Sequence, residues 1–360
     1  MDRKFLDLYS DYLISSFGKV TATGLSELLD GELSHDQITS RLRQITGGSP
    51  ELWYLVKPTI RKHESEEGVL IFDDTLEHKP HSDENTIVGW YFDHSSNRSI
   101  KGINILNCIY HNEAISLPVA FEIVQKLQEV TDPKTGKTKF VSEESKNEMM
   151  RNMLHVCCQN RLKFSYVLTD SWFSSKENMQ YIKLRVKKDF IMALKGNRLV
   201  ALSSDDKCQG HFVNLESIEL NPDSCCKVFL KGLDFPVSIT KQVFRNKNQS
   251  TGILYLACSN LDLTATDINT IYQKRWKVEE FHKSLKSNLA LAKSPTGIAH
   301  TQKNHIFACF FAFVKLERLR IKTKLNHFAL KAKLYFNAIR ASFSLLQKSV
   351  ILSMLHQEGY

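Results

Sequence analysis

Three acidic residues have the types and the predicted positions of a metal site. Asp74 closes one predicted strand, Asp170 closes another, and Glu279 lies on a predicted helix further along the chain. Ligands of open α/β sheets bind in the crevice beyond the carboxyl ends of the strands. Carboxylate oxygens suit Mg²⁺ or Mn²⁺ rather than zinc. Two such ions, about 3.5–4 Å apart, can activate a water or a 3′-hydroxyl and stabilise a leaving oxygen.

This chemistry requires Asp74, Asp170 and Glu279 to converge. A lone aspartate after a strand is usually a turn former or a helix cap, and that is the structural alternative for either aspartate. Carboxylates packed together repel one another, and a divalent cation removes the repulsion. Asp73 and Asp74 are neighbours on one predicted strand, so their side chains face opposite sides and only one of them can enter the site.

The stretch from Tyr272 to Lys286 predicts a helix whose polar residues share one face. At about 100° per residue, that face carries the carboxylate of Glu279 together with Tyr272, Arg275, Lys283 and Lys286. This pattern favours a helix that holds a metal ion through Glu279 and binds phosphates through its cations. A plain ion pair between Glu279 and Lys283, four residues later, is the alternative.

Apolar patterning from residue 66 onwards predicts the elements that would position these side chains. Period-two and continuous apolar runs predict strands at 68–77, 99–111, 114–124, 163–170 and 189–196, with helices at 142–159 and 174–185. The order β-β-β-α-β-α-β predicts an α/β fold in which three antiparallel strands are followed by parallel ones. The result is a mixed sheet with helices on both faces.

Five segments follow from these patterns. They are a helical N-terminal domain at 1–64, the first part of the core at 65–196, a β-rich insertion at 197–263, the last core helix at 264–294, and a basic helical C-terminal region at 295–360. In the first segment, two short amphipathic pieces flank Asp30 and Gly31, with Ser34 as a predicted N-cap. This spacing fits a DNA-binding helix-turn-helix, although a helical hairpin gives the same pattern.

Charge is distributed unevenly along a chain whose net charge is +9. Residues 271–360 hold 16 Lys and Arg against 4 Asp and Glu. A region this basic implies a polyanionic partner. Nucleic acid is the first candidate, and an acidic membrane surface is the second. No run of 18 apolar residues occurs, so we expect no membrane span. A charged N-terminus unlike a signal peptide and eight cysteines without zinc spacing indicate a cytoplasmic protein with reduced thiols.

Three motifs resemble those of the DDE transposases of bacterial insertion sequences. They are FDDT around Asp74, LTDSWF around Asp170, and Y-x2-R-x3-E-x6-K at Tyr272, Arg275, Glu279 and Lys286. The last motif is similar to the Tyr-Arg-Glu-Lys (YREK) signature of the insertion-sequence-four superfamily. The resemblance covers residues 66–290 and implies an RNase H-like catalytic domain interrupted by a β-rich insertion.

The resemblance also implies roles for these residues. Asp74, Asp170 and Glu279 would hold two Mg²⁺ ions, for which Mn²⁺ could substitute. Asp74 is preferred to Asp73 because, in the family, the aspartate directly before the threonine is the ligand. The DNA phosphates at the cleaved end would be positioned by Tyr272, Arg275 and Lys286, with Lys283 as a helper.

The implied activity is cut-and-paste transposition. Water nicks DNA at terminal inverted repeats, and the freed 3′-hydroxyl then joins the element to target DNA, commonly through a hairpin. The expected partner is double-stranded DNA, both at the transposon ends and at the target. The protein is expected to be a homodimer in the DNA complex and to act in the bacterial cytoplasm, associated with the nucleoid. The alternatives are an RNase H-like nuclease without strand transfer and a catalytically silent, transposase-derived repressor. The insertion has no Trp to stack on a flipped base, so the hairpin step stays open.

Overall fold

The computed structural model describes residues 2–357 except 94, 95, 132, 134, 135, 137, 223 and 246–248. The α-helices are α1 Arg3–Ser15, α2 Ala22–Leu28, α3 His35–Gln44, α4 Ser49–His63, α5 Lys146–Gln159, α6 Lys176–Gln180, α7 Ser204–Gln209, α8 Ala265–Gln273, α9 Trp276–Asn288, α10 Ala299–Thr323 and α11 His327–Gln357. The strands are β1 Val69–His78, β2 Gly89–Asp93, β3 Arg98–His111, β4 Ser116–Ile123, β5 Gln128–Thr131, β6 Thr138–Val141, β7 Tyr166–Thr169, β8 Asp189–Leu194, β9 Leu199–Ala201, β10 Val213–Asn214, β11 Cys225–Leu230, β12 Val237–Arg245 and β13 Thr251–Cys258.

The chain forms two compact units. One contains Gly48–His282, and the other combines Met1–Gly47 with Lys283–Tyr360, of which 358–360 lie outside the described residues. Helix α4 packs on β4, where the Ser49 hydroxyl donates to the carbonyl of Phe121 and accepts from its N–H. The sheet unit therefore begins at Gly48, whereas the sequence placed that boundary at residue 64.

A mixed sheet organises the unit of residues 48–282. Its central strands lie in the order β4-β3-β1-β7-β8; β1, β3 and β4 are antiparallel neighbours, and β7 and β8 run parallel to β1. This is the mixed α/β sheet that the sequence predicted, with the strand order of an RNase H-like domain. The run Val69–Phe72 on β1 is fully buried, as expected for a central strand covered on both faces.

The predicted β-rich insertion continues the central sheet. Strand β13 pairs antiparallel with β8, and β12, β11, β9 and β10 follow in that order to the edge. Its β content was predicted correctly, and the structure adds that its strands extend the core sheet. The hairpin of β5 and β6 and the edge strand β2 were missed by the sequence, because all three are short and largely polar or exposed.

Helices form the unit of residues 1–47 and 283–360. Ser34 caps α3 in a capping box with Gln37, and Ile38 and Leu42 are buried, as predicted. The apolar run 306–314 lies within α10, and its side chains are buried. Among the described residues, no helix combines the length and the apolar character that crossing a bilayer requires.

Candidate active site

The segment that carries the third acidic residue is not one continuous helix. The prediction of one helix over 272–286 is wrong, because α8 ends at Gln273 and α9 begins at Trp276. Hydrogen bonds between residues three apart, as in a 3₁₀ turn, bridge the junction. The N–H of Arg275 donates to the carbonyl of Tyr272, and the N–H of Val278 donates to the carbonyl of Arg275. Tyr272 and Glu279 therefore belong to different helices, and a single helical wheel does not describe their relation.

Arg275, at the junction, bridges two carboxylates. Its Nη1 lies 2.9 Å from Asp73 Oδ2, and its Nη2 lies 3.5 Å from Glu279 Oε1. The side chains of Arg275 and Asp73 are largely buried. One guanidinium thus holds an acid of β1 and an acid of α9 on the same face of the sheet. Glu279 forms this ion pair with Arg275, rather than with the Lys283 of the sequence-based alternative.

Asp74 lies on the other face of β1, since neighbouring strand residues point to opposite sides. Its carboxylate accepts hydrogen bonds from Lys146 Nζ at 2.8 Å and from Asn104 Nδ2 at 2.6 Å. Lys146 opens helix α5, and its Nζ also lies 4.7 Å from the ring centroid of Trp172. The structure therefore places Asp73, and not the preferred Asp74, beside Arg275 and Glu279.

Asp170 follows β7 directly and lies next to β1. The parallel register pairs Phe72 with Thr169, so Asp73 and Asp170 are the next residues of neighbouring strands. Asp170 Oδ1 accepts a hydrogen bond from the N–H of Trp172 at 3.0 Å. Asp170 thus lies at the carboxyl end of β7, where the sheet architecture predicts a ligand site, and Asp73 lies beside it in the middle of β1. The prediction that Asp74 closes its strand is wrong, because β1 continues to His78.

Burial and neighbouring negative charges both act on Asp73. Burial, followed by the negative charge of Asp170, raises the pKa of Asp73 to about 7, with Glu279 and Asp74 adding to the effect and Arg275 opposing it. Burial also raises the pKa of Asp170, whereas the hydrogen bond from the Trp172 N–H lowers it. Asp170 is thus close enough to disfavour the ionisation of Asp73, although Arg275 opposes the effect.

The remaining predicted DNA-binding residues differ in exposure. Tyr272 is buried, and its hydroxyl donates to the carbonyl of Thr169 at 3.2 Å, so it fixes α8 to the end of β7 instead of facing solvent. Lys283 is exposed, with its Nζ 5.3 Å from the ring centroid of Phe328, and Lys286 is half-buried. Both lysines lie on the part of α9 that belongs to the helical unit.

Sequence reasoning missed a buried polar pair beside the acids. Asn107, the register partner of Asp73 on β3, donates through Nδ2 to His282 Nε2 on α9 at 2.9 Å. Both side chains are buried, and the pair holds α9 on the sheet one turn after Glu279. Two asparagines inside the apolar strand sequence GINILNCIYH were the available signal, because buried amides need partners.

Comparison with known proteins identifies the family of this chain. Residues 2–206 match the family described as DDE superfamily endonuclease, which is more than half of the chain. The chain belongs to the DDE superfamily endonucleases. No curated protein matches it. Among solved structures, it is similar to endonuclease V from Bacillus subtilis, with 9% identity over 80% of this chain and 91% of that chain and a TM-score of 0.22.

A DDE superfamily endonuclease generally requires a divalent metal ion, and the donors here fit one in chemical type. Carboxylate and amide oxygens are the ligands of Mg²⁺ and Mn²⁺. Asn104 Oδ1 and Asn107 Oδ1 are buried beside the aspartates and have no hydrogen-bond partner among the described residues. Within that part of the chain, no three acidic, His or Cys side chains are grouped to hold an ion as they stand. Asp73 pairs with Arg275, and Asp74 pairs with Lys146.

Proposed function

We propose that this DDE superfamily endonuclease is a Mg²⁺-dependent transposase of the insertion-sequence-four type with the Tyr-Arg-Glu-Lys signature. It nicks DNA at terminal inverted repeats and joins the freed 3′-hydroxyl to target DNA. The observation that carries the proposal is the Arg275 bridge between Asp73 and Glu279, beside Asp170 at the carboxyl end of β7. Family membership and the spacing of Tyr272, Arg275, Glu279 and Lys286 support it.

The metal ligands in this proposal are Asp170, Glu279 and one aspartate of β1. Contact with the guanidinium that also holds Glu279 favours Asp73, whereas the resemblance favours Asp74. When bound, Mg²⁺ supplies the activation of a water or 3′-hydroxyl and the stabilisation of the leaving oxygen. These carboxylates, two of which pair with Arg275 as they stand, would hold the ion through their oxygens.

Arg275 has a second role in this proposal. With a metal ion on its carboxylate partners, the guanidinium would be available to a DNA phosphate, for which its planar fork is suited. Lys283 and Lys286, further along α9, add phosphate contacts that fix the register of the DNA without reading its sequence. Tyr272 acts indirectly, because its hydrogen bond to Thr169 holds the backbone that leads into Asp170.

The test is an assay with labelled DNA that carries the inverted repeats flanking the coding frame, together with a plasmid target and Mg²⁺. A transposase produces both nicked ends and joined end–plasmid products. Nicking without joined products would favour the second candidate, a nuclease without strand transfer, which the endonuclease description of the family supports. Binding without nicking would indicate the silent repressor and overturn the proposal.

A further inference from the structure

The edge strand β2 carries two large aromatic side chains on one face of the sheet. Strand β2 pairs with the start of β3 and lies at the end of the sheet order. Trp90 and Phe92 are two residues apart, so their side chains point to the same face, with about 7 Å between them along the strand. Each side chain is 52% exposed. Neighbouring apolar side chains that are this exposed form a patch that a ligand can cover.

The ring of Trp90 is held in one orientation. Its Nε1 donates a hydrogen bond to Glu84 Oε1 at 2.8 Å, and the backbone carbonyl of Trp90 accepts one from Lys126 Nζ at 2.6 Å. The Lys126 ammonium also lies 4.1 Å from the ring centroid of Tyr91, whose side chain points to the opposite face of the sheet. A ring that is fixed before binding loses little conformational entropy when a ligand stacks on it.

The contact with Lys126 also covers the backbone edge of β2. A peptide that adds to the edge of a sheet needs main-chain hydrogen bonds from that edge. The carbonyl of Trp90 is already bonded to Lys126, and the N–H of Lys126 is bonded to the carbonyl of Thr86. The aromatic face of β2 is therefore better suited to a ligand than its backbone edge, and two rings on that face suit a flat ligand.

A lysine and the acid cluster share this face of the sheet. Lys101 of β3 is the register partner of Trp90, so their side chains lie side by side. Further along β3, Asn107 is the register partner of Asp73. Lys101 and Asn107 are six residues apart, which is an even number, so they point to the same face and are separated by roughly 20 Å. That distance corresponds to about six nucleotides of one DNA strand.

We propose that Trp90, Phe92 and Lys101, here called the stacking platform, bind an unpaired stretch of DNA. Proteins bind single strands by stacking bases on aromatic side chains while cations contact the backbone. Bases in a duplex are already stacked on one another, so exposed rings favour an unpaired strand. Every base has a face that can stack, so the stacking platform reads no sequence.

The inference rests on the proposed function for its substrate, because cleavage beside the acid cluster produces strand ends that can unpair. A protein is the competing occupant of an aromatic patch. The charge of Lys101 beside the rings and the covered edge of β2 favour a nucleic acid.

The experiment measures the affinity of the full chain for fluorescein-labelled oligothymidine and for a blunt duplex of the same length. Fluorescence anisotropy in EDTA records binding without cleavage. Trp90→Ala and Phe92→Ala should each weaken binding to oligothymidine about tenfold and leave the affinity for the duplex unchanged. Trp90→Phe, which keeps a ring, should retain most of the affinity for oligothymidine. Tyr54→Ala removes a ring of the same unit that is 76% exposed, and should change neither affinity.

Salt dependence separates the rings from the lysine. Lys101→Ala should lower the slope of log affinity for oligothymidine against log salt by about 0.7, because one phosphate contact is lost. Trp90→Ala removes no charge and should keep the wild-type slope. Circular dichroism and thermal unfolding check that each variant keeps the wild-type fold.

Three results would overturn the inference. The first is wild-type affinity for oligothymidine in both Trp90→Ala and Phe92→Ala. The second is an equal loss of affinity for oligothymidine and for the duplex. The third is a lower mass of Trp90→Ala than of the wild type by light scattering, which assigns the rings to a protein interface.

The binding measurement and the proposed transposase activity fail separately. A protein that nicks and joins DNA but binds oligothymidine independently of Trp90 and Phe92 refutes only the stacking platform. A protein that binds oligothymidine through these rings and does not nick DNA refutes only the proposed activity.

Discussion

The guanidinium of Arg275 lies 2.9 Å from a carboxylate oxygen of Asp73, and this ion pair joins the start of α9 to the middle of β1. It connects two parts of the chain that are about 200 residues apart in sequence. One cation also meets Glu279, so the pair marks the point where the strand acids and the helix acid converge. Five expected outcomes follow from this arrangement.

Replacing Asp170 by alanine should abolish Mg²⁺-dependent nicking. We expect a loss of about 10³-fold or more, since the carboxylates act as one unit. DNA binding should stay near wild type, because the phosphate contacts are made by other residues. The measurement is nicking of end-bearing DNA beside a gel-shift titration. A variant that nicks at the wild-type rate would show that Asp170 is not a metal ligand.

The two aspartates of β1 can be separated by conservative substitution. Asp73→Asn should abolish nicking, because Asp73 shares Arg275 with Glu279. Asp74→Asn should keep measurable nicking, because it changes a contact with Lys146 and Asn104 on the opposite face. Each variant is the matched control of the other. The reverse result would favour the assignment that the transposase resemblance implies.

Stability should depend on pH and on Mg²⁺ through Asp73. Its pKa is about 7 in the folded protein against a usual value of 3.8, so the folded state binds more protons between these values. The contribution of Asp73 to the free energy of unfolding is therefore present at low pH and is lost as the pH rises through about 7. Mg²⁺ should raise the melting temperature more at pH 8 than at pH 5.

The control for this effect is Asp73→Asn. That variant should flatten the fall in stability between pH 5 and pH 8 and reduce the stabilisation by Mg²⁺ at pH 8. Thermal unfolding with and without Mg²⁺ measures both. An equal Mg²⁺ effect at the two pH values in the wild type would argue against a metal site at Asp73.

Tyr272→Phe distinguishes a structural role from a phosphate-binding role. The Tyr272 hydroxyl is buried and bonded to the carbonyl of Thr169. Its removal should lower the free energy of unfolding by about 1 kcal/mol. The equilibrium affinity for end DNA should not change. Denaturant unfolding and a binding titration supply the two measurements. A lower affinity for DNA at unchanged stability would instead support the predicted contact between Tyr272 and a DNA phosphate.

Lys286→Ala should weaken DNA binding and reduce its salt dependence. One lost phosphate contact lowers the slope of log affinity against log salt by about 0.9. Lys286→Arg, which keeps the charge, should retain the wild-type slope. Binding titrations between low and moderate salt measure it. If both variants behave like the wild type, Lys286 makes no phosphate contact.

Much of the fold was predictable from periodicity. The apolar run that ends at Asp73 and Asp74 predicted a buried central strand, and the order of strands and helices predicted a mixed sheet. The prediction for 272–286 failed because helical periodicity continues across one tight turn, so the pattern alone does not reveal the break at Lys274 and Arg275.

The sequence by itself determined the sheet, its order of elements, and the acidic residues available for a site. Those features depend on local patterns of apolar and polar residues. Only the tertiary structure decided that Asp73 meets Arg275 and Glu279 while Asp74 turns to Lys146, and that the insertion strands extend the core sheet. The physical reason is that successive side chains of a strand point to opposite faces of the sheet, so Asp73 and Asp74 face opposite ways. The helices α5 and α9, which pack on the sheet, determine which of the two faces becomes the site.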